Sequence, residues 1–189
     1  LMGGMGAVTM AAHQVAINLA ALTFMVPLGV SAAAAVRVGR SVGRQDQDGV
    51  RRAASAALLC GAGFMSCTAA LFLLLPQQLA SAYTPDLEVL ALAASLIPLA
   101  GVFQVVDGLM IVSAGVLRGL GDTRGPMLIN LLGFWLIAIP MSLLLAFHLG
   151  LGPQGLWWGF VVGLAVVATM LLIRIAVTLS GPVARITVE

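Results

Sequence analysis

The chain has 189 residues, 61% of them hydrophobic and 8% charged, with a formal net charge of +2 and a mean hydropathy of +1.10. Soluble domains carry about 25% charged residues, so this composition excludes a water-soluble globular fold. Nine basic residues, mostly flanking apolar runs, also exclude a nucleic-acid surface.

In chain order, Leu1 to Val8 read as the last turns of a preceding helix and carry no signal-peptide pattern. At least one upstream helix, and with it an N-terminal domain, is expected to be missing. The first membrane span is expected over about 9–36. Gln14 and Asn18 stand four apart there, on one side of the helix. Asn18 precedes Arg37 by nineteen positions, about 28 Å of helix, which puts it in the outer part of a bilayer. A cavity-lining role and plain interhelical bonding are both open for this pair. His13 and His148 are expected near an interface. The second span, about 53–75, holds Cys60 and Cys67 seven apart, too far along one helix for a disulfide.

The third span, about 87–117, contains Asp107, with no other charge between Glu88 and Arg118. Eleven positions separate Asp107 from Arg118, about 16 Å and close to half the hydrocarbon thickness. A charge at that depth costs about 2.5–3.5 kcal/mol on insertion scales and marks an ion or proton pathway by default. A proton, a sodium ion or a cationic solute would offset it. Gln104, one turn earlier, has an amide able to donate to Asp107 or to offer a carbonyl oxygen to a cation. The bland alternative is a structural hydrogen bond between two helices. A fourth span is expected over about 126–147 and a fifth over about 156–178. Pro27, Pro98 and Pro140 lie inside spans and are expected to kink them. Gly155, Gly159 and Gly163 form a stripe for close helix contact, as do the pairs Gly39/Gly43 and Gly115/Gly119. Trp157 and Trp158 are read as part of an outer aromatic belt.

Runs of this length satisfy their own backbone only as helices, so residues 1–189 read as one all-α membrane domain. Arg37, Arg40, Arg44, Arg51 and Arg52 lie between spans one and two, Arg118 and Arg124 between three and four, and Arg174 and Arg185 at the end of span five. Alternating crossings put all nine on one face. The positive-inside rule makes that face cytoplasmic, with the C-terminus on it, in a multi-pass plasma-membrane protein such as one of a bacterial inner membrane.

Several strings carry a family resemblance. Ala11-Ala12-His13-Gln14-Val15-Ala16-Ile17-Asn18-Leu19, followed by Phe24-Met25-Val26-Pro27-Leu28-Gly29 and by Val36-Arg37-Val38-Gly39-Arg40, resembles the second C-lobe helix of MATE multidrug efflux transporters. Phe103-Gln104 with Asp107-Gly108 resembles the acidic C-lobe helix. Gly115-Val116-Leu117-Arg118-Gly119-Leu120-Gly121-Asp122-Thr123-Arg124 and then Pro126-Met127 resemble the family's turn at the cytoplasmic side. Gly155-Leu156-Trp157-Trp158-Gly159 is similar to the start of its last helix. The resemblance runs through nearly the whole chain in order.

It implies five transmembrane helices plus the tail of a sixth, the C-terminal half of a twelve-helix, two-lobe transporter whose N-terminal lobe is absent. It further implies export of small organic cations or drugs in exchange for a sodium ion or proton, by alternating access, with no cofactor besides that ion. Asp107, with Gln104, would couple the cation, as a carboxylate able to hold sodium. Gln14, Asn18, Phe103 and Met110 would line the substrate cavity. Phe103 stands where some members have a tyrosine, and the glutamate that many pair with the aspartate would lie before Leu1, so a proton is an equal candidate for the ion. Two other classes compete. A lipid-linked oligosaccharide flippase of the same superfamily would show a cationic cavity, and an intramembrane enzyme needs clustered polar catalysts on neighbouring helices. A single acid without a neighbouring base disfavours both, so the protein is expected not to be an enzyme.

Overall fold

The computed structural model describes residues 6–181; Arg185 and residues 1–5 of the helix tail expected over Leu1 to Val8 lie outside the described residues, while Ala7 and Val8 of that stretch open the first helix instead. Five helices among these are long and apolar enough to cross a membrane: Ala7–Gly43, Gln47–Leu74, Leu87–Gly119, Arg124–His148 and Gly152–Ser180. There is no strand among the described residues. The first helix, α1 (Ala7–Gly43), continues past Val36 and carries Arg37 and Arg40 on its last turns. A short turn leads to α2 (Gln47–Leu74), whose start is fixed by Asp46: its carboxylate accepts the Gly49 N–H at 2.8 Å.

The Pro76-Gln77-Gln78 break is not a bare loop. It folds as a short helix, α3 (Pro76–Ser81), with proline at its first position, where the missing N–H costs nothing. Asp86 then caps α4 (Leu87–Gly119), accepting the N–H groups of Glu88 at 2.9 Å and Val89 at 3.2 Å. Pro27 and Pro98 lie inside α1 and α4 without ending them. After α4 the chain turns through Gly121, whose φ of 86° suits glycine.

The fourth crossing starts as α5 (Arg124–Leu132), passes through a π-helical stretch at Gly133–Ala138, resumes as α6 (Ile139–Leu143), and ends in a second π stretch at Leu144–His148. The last crossing is α7 (Gly152–Ser180).

Helix α4 is the centre of the bundle, packed on α1, α2 and α7, while the fourth crossing leans mainly on α7. Small residues allow the close approaches. A Cβ on Gly115 would press on the Ser31 main chain and hydroxyl, and one on Gly119 on Ala35 and Val38, so the α1–α4 crossing depends on both glycines. On α7, Gly155 faces Leu145 and Ala146, Gly159 faces Ser142, Gly163 faces Ala138, and Val167 faces Gly133.

The apolar core is split in two. One cluster, including Ala16, Phe72, Leu96, Ile97 and Leu156, fills the end near the start of α1. The other, including Val38, Val50, Leu117, Leu120 and Leu171, fills the Arg-bearing end. At that second end, buried Asp122 forms an ion pair with the Nε of Arg174 on α7 and accepts the Gly125 N–H at 3.0 Å. Arg174 is therefore more than a marker of topology: it fastens α7 to the turn after α4. Its side chain is half exposed (45%), so solvent screens the pair, and Asp122→Asn is expected to cost about 1 kcal/mol or less. Asp122→Ala also strands the Gly125 N–H and should cost about 1–3 kcal/mol more. Thermal unfolding of the two variants side by side checks that order.

Candidate functional site

A cavity of about 460 Å³ opens between α1, α4, the fourth crossing and α7. Its lining is Met10, His13 and Ile17 from α1, Phe103 and Asp107 from α4, Phe134, and Leu156, Trp157, Phe160 and Leu164 from α7. Asp107 is the sole carboxylate of that lining, and no Arg belongs to it. Among the described residues its side chain makes no hydrogen bond or ion pair. A partly buried carboxylate without a protein partner, set among aromatic and aliphatic walls, has the chemistry to attract a cation that is itself apolar or aromatic.

Phe103 lies in the lining beside Asp107 and meets Trp157 edge-on, ring centroids 5.4 Å apart. Trp157 in turn meets His13 at 5.6 Å. Trp157 is thus not part of an outer belt; it is 4% exposed and forms a wall of the cavity, whereas its neighbour Trp158 stays exposed. Adjacent helix positions point about 100° apart, so burying one tryptophan turns the other to the surface. His13 is likewise a cavity residue, although its sequence position suggests an interface. The one signal in the sequence is its register with Ile17, four positions on and on the same wall.

Gln104 is turned away from the cavity. It is 1% exposed, its Oε1 accepts the Thr23 hydroxyl at 2.6 Å, and its Nε2 donates to the Thr68 hydroxyl at 3.0 Å. That amide ties α1, α4 and α2 together at mid-height and is not part of the lining that holds Asp107. Both threonines retain local acceptors, Thr23 at the Ala20 carbonyl and Thr68 at the Met65 carbonyl. Gln104→Leu is therefore expected to cost only about 0.6–2 kcal/mol, read as a modest fall in Tm, with transport preserved. A Gln104 that held the coupling ion would lose transport instead.

Gln14 and Asn18 share a face of α1, but it is an exposed one. Gln14 Nε2 donates to Asn18 Oδ1 at 3.4 Å, and neither residue belongs to the lining. Met110 packs against the core cluster at the Arg-bearing end, outside the cavity. Of the residues singled out from the sequence, the structure brings together Asp107 and Phe103 and leaves Gln104, Gln14, Asn18 and Met110 elsewhere.

Comparison with known proteins agrees on one family. The multidrug resistance protein NorM of Burkholderia vietnamiensis is 44% identical over 187 residues, covering 96% of this chain and 40% of its own length. The chain thus spans about two fifths of that relative. The crystal structure of the eukaryotic MATE transporter AtDTX14 matches with a TM-score of 0.83 at 26% identity, covering 89% of this chain and 38% of that one. An outward-facing structure of a multidrug resistance MATE family transporter of the MOP superfamily shares the fold, with a TM-score of 0.84 at 18% identity over 92% of this chain and 39% of that one. The MatE family model matches residues 1–144, and on that match the chain belongs to the MatE family.

Proposed function

We propose that this chain is the C-terminal lobe of a secondary transporter that exports cationic, largely aromatic compounds in exchange for a cation, with Asp107 as the shared carboxylate. The observation that carries the reading is the cavity itself: one unpartnered acid, near mid-helix on α4, enclosed by Phe103, Phe134, Trp157 and Phe160. A coupling ion and a cationic drug that compete for one carboxylate exclude each other, and that linkage is what exchange requires. Multidrug resistance in the name of the NorM relative supports the substrate class.

A proton needs only Asp107. A sodium ion needs further oxygen ligands, and the lining offers no side-chain oxygen besides the carboxylate of Asp107. We read the coupling ion as a proton on this ground. The lobe sits in the plasma membrane with its Arg-bearing end cytoplasmic, and it acts together with an N-terminal lobe. An anionic, lipid-linked cargo fits poorly in a cavity whose one charge is negative.

The test is ethidium efflux from cells that express the lobe with its N-terminal partner, under separately imposed gradients. Efflux should collapse when a protonophore removes the proton gradient and persist when sodium is replaced by choline. Efflux that follows sodium instead would overturn the proton assignment, and efflux indifferent to both gradients would overturn secondary transport.

A further inference from the structure

A second concavity, of about 530 Å³, lies between the start of α2 and the end of α7 at the Arg-bearing end. Its walls are Ala54, Leu58, Leu172, Ile175, Ala176 and Leu179, and its mouth holds Arg51 and Arg52 with Ser55 and Ser180. Helix α2 has 28 residues, about 42 Å, longer than a hydrocarbon core of about 30 Å. Arg51 and Arg52, in its second turn, therefore stand at the membrane–water boundary with the apolar walls running inward from them.

The charges at the mouth are largely unclaimed. Arg51 gives one Nη2 bond to the Leu179 carbonyl at 2.9 Å, the one side-chain bond it makes among the described residues. Arg52 makes no side-chain hydrogen bond or ion pair among the described residues. No acid belongs to the lining, and Asp46, at the start of the same helix, caps Gly49. Asp48, in the first turn of the same helix, is exposed and makes no ion pair with either arginine among the described residues. Leu59, Ile173 and Val177, on the same two helices, are 74%, 58% and 68% exposed, so these helices offer apolar surface that a bilayer would cover.

We propose that this groove holds one anionic phospholipid, its acyl chain along Leu58, Leu172, Ile175 and Ala176 and its phosphate on Arg51 and Arg52. A positive mouth above an apolar slot complements a lipid with a net negative headgroup, and a zwitterionic lipid gains less from the same mouth. The site is separate from the Asp107 cavity and does not depend on the transport reading.

The experiment is native mass spectrometry of the purified protein in detergent, supplied with equal amounts of phosphatidylglycerol and phosphatidylcholine of identical acyl chains. Wild-type protein should retain the anionic lipid preferentially. Arg52→Gln should lower that preference about fivefold, which corresponds to about 1 kcal/mol, and Arg51→Gln combined with Arg52→Gln should remove it. Ala176→Trp, which fills the slot and leaves both arginines, should lose both lipids. Arg37→Gln, a charge change outside the groove, should alter nothing. Equal retention of the two lipids by wild type, a preference that survives the double substitution, or undiminished binding to Ala176→Trp would overturn the proposal. Displacement of the lipid by inorganic phosphate alone would also overturn it, by reducing the site to a free-anion site.

Discussion

Replacing Asp107 with Asn is expected to lower drug efflux by about 5- to 150-fold, the range that coupling free energies of about 1–3 kcal/mol produce. The change is close to isosteric and removes a charge from an apolar setting, so folding and membrane insertion should hold or improve. It leaves a side chain that can neither bind a proton at physiological pH nor attract a cation by charge. Phe103, Trp157 and Phe160 would still offer a surface to an aromatic compound, so weak binding of ethidium should survive while exchange fails. Efflux normalised to membrane abundance, with ethidium binding measured on the purified variant, separates the two effects. Unchanged efflux in Asp107→Asn would reduce the residue to packing.

The second large effect is expected from Gly159→Leu. Position 159 faces the main chain of Ser142 so closely that even a Cβ collides with backbone, which cannot swing aside as a flexible side chain can. The same turn is held by the Ser142 hydroxyl, which donates to the Ala138 carbonyl at 2.7 Å and stands 3.2 Å from the Leu156 carbonyl. A leucine would push the fourth crossing off α7, at a cost of about 3 kcal/mol or more. The measurement is monodispersity and Tm in detergent; Gly63→Leu, at a position with open space around it, is the control and should behave as wild type.

Much of this is legible in the sequence, for reasons that differ between features. The crossings are readable because lipid leaves so few ways to satisfy a backbone. Asp107 is readable as a candidate because it is the lone charge in a long apolar run. The glycine stripe on α7 shows in its four-residue spacing alone. What sequence does not carry is rotation about a helix axis. Gln104 and Asp107 are one turn apart, yet Thr23 and Thr68 draw the amide to the α1–α2 side while the acid faces α7 and Phe134. The spacing of Gln14 and Asn18 puts them on one face, but nothing local tells that the face is an exposed one. Trp157 and Trp158 are indistinguishable until α1 supplies His13 as a neighbour. The Asp122–Arg174 pair joins residues 52 positions apart, and no local pattern announces it.

The π-helical stretch at Gly133–Ala138 has a consequence for how this helix tolerates change. Along α7 the contact residues 155, 159, 163 and 167 recur every fourth position, while their partners are 146, 142, 138 and 133. The last interval has five residues where the others have four. In a plain α-helix the fifth residue would swing Gly133 about 100° beyond the four-residue step of the seam; the wider turn absorbs it. The stretch is in effect a one-residue insertion held in place by its partner helix. Deleting a single residue there restores an even four-residue rhythm, whereas the same deletion between Ala138 and Ala146 destroys it. In this helix, then, the loss of one whole residue within 133–138 is expected to leave the remaining contacts with α7 in register.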